Sequence, residues 1–199
     1  MTPSFARNLN ALGLLAVSLV LAGAFFDQLV NGDLPCPLCI LQRAGFALAG
    51  AGLALNLISG LRPAHYGLVI IGAVTGAAIS GRQILLHIVP GTGGYGPPIL
   101  GLHLYTWAFI IFAIAVVVTA LLLLSTRQFE APLSRPRASA LTSLALGLFV
   151  LMVVGNGLST LAECADGLCP ENPVRYEGID MLQEWIGGDP EPAATDTAG

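Results

Sequence analysis

Apolar residues in this 199-residue chain run in long blocks and do not alternate with polar ones. Five stretches, about 9–30, 38–59, 65–89, 103–125 and 138–160, each reach the roughly 20 mostly apolar residues that a membrane-spanning helix needs. Pro and Gly clusters at Gly60–Pro63, Pro90–Pro98 and Pro132–Pro136 separate them. Barrel strands would alternate with period two, so the pattern predicts an all-α polytopic membrane helix bundle in the lipid bilayer. No internal repeat is visible.

Composition points the same way. The chain is 55% hydrophobic and only 10% charged, with a mean hydropathy of +0.78. A soluble domain carries about 25% charged residues, so a soluble enzyme and a disordered chain are both excluded. All eight basic residues are Arg and the net charge is −4, which argues against a nucleic-acid partner.

The Arg residues also give an orientation. Arg7 precedes the first stretch, Arg62 lies between the second and third, and Arg127, Arg135 and Arg137 lie between the fourth and fifth. The loops at Asn31–Pro35 and Pro90–Leu102 carry none. The positive-inside rule then puts the N-terminus in the cytoplasm and the C-terminus outside. Residues 161–199 hold nine acids against one Arg, consistent with a tail outside. An alternative is that Arg7, the apolar stretch and Ala22-Gly23-Ala24 form a cleaved signal peptide, leaving four spans; the stretch is long for one.

Four cysteines fall on the non-cytoplasmic side of this topology, where disulfides are permitted. Cys36-Pro37-Leu38-Cys39 opens the second span. A helix start favours a thiolate through its free N–H groups and dipole. Arg43, one turn deeper on the face of Cys39, adds a cation, and an Arg inside a span is a functional candidate by default. The competing reading is a structural disulfide with Arg43 reaching to the interface. Cys164 and Cys169, just past the fifth span, bracket an Asp166-Gly167 turn suited to a small disulfide loop. That pair is either a redox partner of the first or a staple for the tail. A four-cysteine zinc site is disfavoured by the second spacing.

The segment Leu34-Pro35-Cys36-Pro37-Leu38-Cys39-Ile40-Leu41-Gln42-Arg43, opening the second span, resembles the disulfide bond formation protein B (DsbB) family. Gly81-Arg82-Gln83, late in the third span, is similar to that family's third helix. The likeness covers residues 9–125. It implies a four-helix core over 1–125, followed by a loop and fifth helix over 126–160 and an acidic periplasmic tail over 161–199 with the second cysteine pair. It also implies a bacterial inner-membrane enzyme. Such an enzyme oxidises a periplasmic thioredoxin-like (DsbA-like) dithiol protein and passes electrons to a membrane quinone, either ubiquinone or menaquinone. Cys36 and Cys39 would be the quinone-proximal pair, with Arg43 at the quinone. The chain departs from better-known members in one respect. Their second pair lies between spans 3 and 4, where Pro90–Pro98 has no Cys. Here Cys164 and Cys169 would replace it.

On this reading a partner thiolate opens Cys164–Cys169, and a tail thiolate then attacks Cys36, taken as the sulfur nearer solvent. Cys39 leaves as the thiolate beside Arg43. Which tail cysteine meets the partner is open. Arg82, about 10 Å below the end of its span, is expected at the depth of Arg43 in one shared quinone site, or else bonds helix-end carbonyls. His87 is a candidate proton donor to the quinol, or an interfacial hydrogen-bonder; His103 is a weaker candidate. Tyr105 and Trp107 suit an aromatic belt. Gly45, Ala49, Gly72 and Gly76 have the small-residue spacing of close helix packing. In the tail, Ile179, Leu182, Trp185 and Ile186 share one helical face, predicting a short interfacial helix that holds the cysteine loop over the bundle. From Gly187 onward the composition predicts disorder.

Two other readings compete. One is a non-enzymatic assembly protein held by two structural disulfides. The other is a vitamin K epoxide reductase-like enzyme, in which Cys-x-x-Cys sits on a later helix.

Overall fold

The computed structural model describes residues 1–130, 139–165, 167, 169–170 and 173–187. Five helices are long and apolar enough to cross a membrane. They are α1 (Pro3–Phe26), α2 (Pro37–Ser59), α3 (Pro63–Leu86), α4 (Leu104–Leu123) and α5 (Ala140–Cys164). A short sixth helix, α6 (Glu177–Ile186), follows in the tail. Among the described residues no strand is formed, so the all-α membrane bundle expected from the apolar blocks is the observed architecture.

The helix ends follow local chemistry more closely than hydropathy does. Pro occupies the first position of α1, α2 and α3, where its missing N–H costs nothing. The Thr2 hydroxyl accepts from Phe5 N–H and starts α1 at Pro3, earlier than the apolar run suggests. At its far end α1 widens into a π-helical turn over Asp27–Asn31, closed by Gly32 at φ 75°. His87 ends α3. The helix α5 continues to Cys164, past the expected end near 160. Cys164 therefore lies in the last helical turn and is buried, not in a loop beyond it. Arg135, Arg137 and the Pro132–Pro136 cluster lie outside the described residues.

The helices pack in chain order, α1 on α2, α2 on α3 and α3 on α4, with α5 laid mainly against α1 and touching α2. The α2–α3 seam is the closest. A Cβ on Gly45 would stand 3.0 Å from Gly76 Cα, and one on Gly72 would meet the Ala49 backbone nitrogen. The small-residue spacing thus serves the close approach expected of it. Phe112 of α4 fills the hollow over Gly76 and stacks on Phe46 of α2 at 3.9 Å between ring centroids. Large apolar side chains such as Leu19, Ile71, Leu121 and Leu151 point outward, as a lipid-facing surface requires.

At the end opposite the cysteines, a polar group closes the bundle. Asn10 donates to Tyr66 Oη at 2.7 Å, Asn56 donates to Asn10 Oδ1 at 2.9 Å, and Tyr66 donates to Gln128 Oε1 at 3.1 Å. Buried amides away from water need such partners.

Gly76→Ala drives a methyl into the Phe112 ring and is expected to cost about 1–3 kcal/mol. Gly147→Ala, whose Cβ meets nothing within 4 Å, is expected to be neutral or mildly stabilising. Thermal unfolding in detergent compares the two; equal melting temperatures would show that the seam is not tightly packed.

Candidate functional site

Cys36 is the N-cap of α2, and its own sulfur does the capping by accepting from Cys39 N–H at 3.2 Å. The free N–H groups of the helix start therefore act on Cys36, whereas the sequence placed the favoured thiolate at Cys39. Both cysteines are free thiols. Gln83 of α3 is buried beside them and donates to Cys36 Sγ at 3.4 Å and to Cys39 Sγ at 3.7 Å. Its carbonyl accepts from Gln42 Nε2 at 2.6 Å, which fixes the amide with its N–H groups toward sulfur. The Cys36 thiol is lowered from its ordinary value to about 7, first by the hydrogen bond with the Cys39 thiol, then by the Cys39 amide and Gln83, against the opposing effect of burial.

Cys36 is also buried, and Cys39 is the more exposed of the two. Leu34 and Pro35 are buried over Cys36, and Tyr95 from the α3–α4 loop donates its hydroxyl to the Leu34 carbonyl. That loop covers the thiol pair. Burial raises the Tyr95 phenol.

The hydrogen bonds of Arg43 go to oxygens, while its charge lies close enough to act on Cys39. Its Nη1 donates to Gln28 Oε1 at 2.8 Å and to Asn156 Oδ1 at 3.3 Å, and its Nη2 to the Ala24 carbonyl at 3.1 Å. Phe25 lies beneath it, 5.9 Å from the guanidinium to the ring centroid. Gln28, on the π-helical turn, also donates to Ser159 Oγ at 2.8 Å and to Tyr176 Oη at 3.1 Å. One amide thereby joins α2, α5 and the start of the tail helix. Arg43 and Asn156 face a cavity of about 610 Å³ between α1, α2 and α5, otherwise apolar and walled by residues such as Leu21, Ile40 and Val153.

Arg82 is not part of this arrangement. It is exposed and lines a different cavity, with Gly81, Leu85 and Phe109 on the α3–α4 side. The shared site expected for Arg43 and Arg82 is not formed, because equal depth on two helices does not put two side chains on the same face. On α3 the residue turned toward the thiols is the next one, Gln83. His87 caps α3 and stacks on Tyr105 at 5.5 Å, as does His103 at 5.2 Å. The two imidazoles belong to the loop cover and do not line the Arg43 cavity.

Cys164 and Cys169 form a disulfide with 4.6 Å between Cα atoms. Gly167 N–H bonds back to the Cys164 carbonyl at 3.1 Å; Asp166 of the expected turn lies outside the described residues. The helix α6 forms where the shared apolar face predicts it, with Leu182 and Trp185 exposed as for an interfacial helix. Gly178 lets its first turn sit against the Leu161 and Ala162 carbonyls at the end of α5. Beyond Gly187, the segment expected to be disordered lies outside the described residues.

A membrane-spanning helical bundle with a thiol pair on one helix start and a disulfide at the same end defines a membrane thiol–disulfide protein. Comparison with known proteins agrees. The family model "Disulfide bond formation protein DsbB" matches residues 6–94. Disulfide bond formation protein B 1 of Pseudomonas fluorescens Pf0-1 is 30% identical over 156 residues, covering 61% of this chain and 91% of the relative. Disulfide bond formation protein B of Burkholderia thailandensis is 32% identical over 157 residues, covering 61% and 90%. That of Xylella fastidiosa is 40% identical over 86 residues, covering 39% and 48%. No solved structure matches. The chain belongs to the disulfide bond formation protein B family, with a fifth span and a C-terminal cysteine pair as additions.

Gln83→Met removes the side-chain donor to both sulfurs. Hydrogen bonds to sulfur favour the thiolate, so their loss raises the Cys36 midpoint from about 7 toward the ordinary thiol range. The alkylation rate of Cys36 at neutral pH is expected to fall several-fold. A rate–pH profile unchanged from wild type would remove Gln83 from the site.

Proposed function

We propose that this protein is a quinone-dependent protein-disulfide oxidoreductase of the bacterial inner membrane, which oxidises a periplasmic thioredoxin-like dithiol protein through its tail. The observation that carries this reading is the Cys36–Cys39 pair capping α2, with Gln83 donating to both sulfurs, at the same end of the bundle as the Cys164–Cys169 disulfide. The Arg-bearing loops at the opposite end support a periplasmic cysteine end.

The residues fit a quinone at the cavity beside Arg43. A flat ring with electronegative oxygens suits apolar walls with a guanidinium and an amide at one side. A quinone bound there supplies an acceptor for two electrons and two protons. Arg43 and Asn156 hold and orient it, and the α1 and α5 walls keep water away. Arg82, in a separate cavity, has no part in that site.

Thiol exchange follows from the residues alone. A partner thiolate attacks one sulfur of Cys164–Cys169, that S–S bond breaks, and the other tail sulfur leaves as a thiolate. The partner's second thiolate resolves the mixed disulfide and leaves the tail reduced. A tail thiolate then attacks Cys36 of the oxidised inner pair, releasing Cys39. The second tail thiolate closes the tail disulfide and releases Cys36, whose thiolate the helix start and Gln83 stabilise.

Purified protein with a thioredoxin-like dithiol donor is expected to reduce a soluble quinone, followed by its absorbance. The Cys164→Ser, Cys169→Ser double variant should keep turnover with a small dithiol and lose it with the protein donor. Arg43→Ala should raise the KM for quinone at least several-fold. Normal turnover of the protein donor by the double variant would make the tail a structural staple, and an unchanged KM would remove the quinone from the Arg43 cavity.

A further inference from the structure

Glu163 lies in the last turn of α5, immediately before Cys164, and is fully buried. Neither carboxylate oxygen has a hydrogen-bond partner among the described residues. A buried carboxyl without partners is costly and calls for an explanation beyond packing. Arg43 acts on it through its charge, but the three hydrogen bonds of that guanidinium go to uncharged oxygens and leave the carboxylate without a donor.

Its position supplies that explanation. The helices α2 and α5 run in opposite directions, and the Arg43–Asn156 hydrogen bond marks a common level on them. Cys36 is seven residues from Arg43 toward the cysteine end, and Glu163 is seven residues from Asn156 toward the same end. At 1.5 Å per residue both stand about 10 Å above that level. Asn156 and Glu163, two turns apart, lie on one face of α5. Independently, Tyr95 of the α3–α4 loop senses the charges of Cys36, Cys39 and Glu163 together.

We propose that Glu163 is the proton-exchange group of the Cys36 sulfur, taking the thiol proton when Cys36 ionises and returning it when Cys36 is released as a thiolate. The step is balanced. The Cys36 S–H bond breaks, an O–H bond forms on the Glu163 carboxylate, and no electrons change hands. When a tail cysteine resolves its mixed disulfide with Cys36, the S–S electron pair stays on Cys36 and the proton returns from Glu163. Catalytic hydrogen bonds of this kind often form only as the reaction proceeds, or through one water. The titratable and charged groups that act on Glu163 are Arg43 of α2, Cys36 at its cap and Tyr95 of the α3–α4 loop. Of these, Tyr95 is engaged with the Leu34 carbonyl and Arg43 with its own three acceptors.

The proposal rests on the relay reading, and the test separates the two. Oxidised full-length protein in lipid nanodiscs is mixed with a thioredoxin-like dithiol protein and quenched with an alkylating reagent. Reduced Cys36 is followed by mass spectrometry between pH 5 and pH 8. In E163Q its appearance is expected to slow by about 100-fold and to lose the pH dependence seen in wild type, while E163D retains most of the rate. If wild type never reduces Cys36, the relay falls and the proposal with it. If wild type does and E163Q matches it, or if E163Q and E163D are equally slow with the wild-type pH profile, only the role of Glu163 falls. Should E163Q fail to insert, the reduced-minus-oxidised infrared spectrum of wild type decides. Loss of a protonated-carboxyl band on reduction of Cys36–Cys39 supports the proposal, and a silent carboxyl region overturns it.

Discussion

A guanidinium within an apolar bundle has to be satisfied by the protein, because the lipid offers nothing. Arg43 meets that demand with acceptors from α1, the π-helical turn and α5, and much of the cysteine end is arranged by it. The π-helical turn carries Gln28, whose carbonyl faces Arg43 while its amide reaches Ser159 and Tyr176. Asn156 makes the fifth helix part of the same polar cluster. The additions to the family's core are therefore tied into the Arg43 environment, and the tail is anchored there through Tyr176.

This explains how a second cysteine pair can work from an unusual place. The α3–α4 loop has no thiol, and here it is a cover, with Tyr95 bonded to the Leu34 carbonyl above Cys36. The disulfide comes instead from the end of α5, whose helix runs long enough to bury Cys164 within the bundle. On the proposed relay Cys36 would be reached from that side; its sulfur accepts from the Cys39 backbone N–H and from Gln83. Arg43 lines the neighbouring cavity and is still within electrostatic reach of Cys39.

The class of fold was readable because long apolar blocks broken by Pro and Gly allow little else, and the paired cysteines stand out in a chain with few polar residues. The hydrogen-bonding partners were not. Gln28, Gln83 and Asn156 are ordinary amides within apolar runs, and only three-dimensional packing brings Gln28 and Asn156 to Arg43 and Gln83 to the thiols. Arg82 drew attention as a charge in a span, yet one residue along the helix is a turn of about 100°, which hands the site to Gln83. Glu163 was counted with the acidic tail because the hydropathy boundary near 160 fell short of the true helix end at Cys164. The sign available in the sequence was its adjacency to a cysteine at a helix terminus.

The central claim is that the tail pair and Cys36 share one level at one end of the bundle, close enough to exchange. Disulfide trapping in membranes tests it most directly. A variant carrying Cys39→Ser and Cys169→Ser leaves Cys36 and Cys164 as the only thiols, and its counterpart with Cys39→Ser and Cys164→Ser leaves Cys36 and Cys169. Peptide mapping without reductant is expected to find an intramolecular disulfide to Cys36 in at least one of the two. Absence of that bond in both, with the proteins inserted and both thiols open to alkylation, would contradict the account.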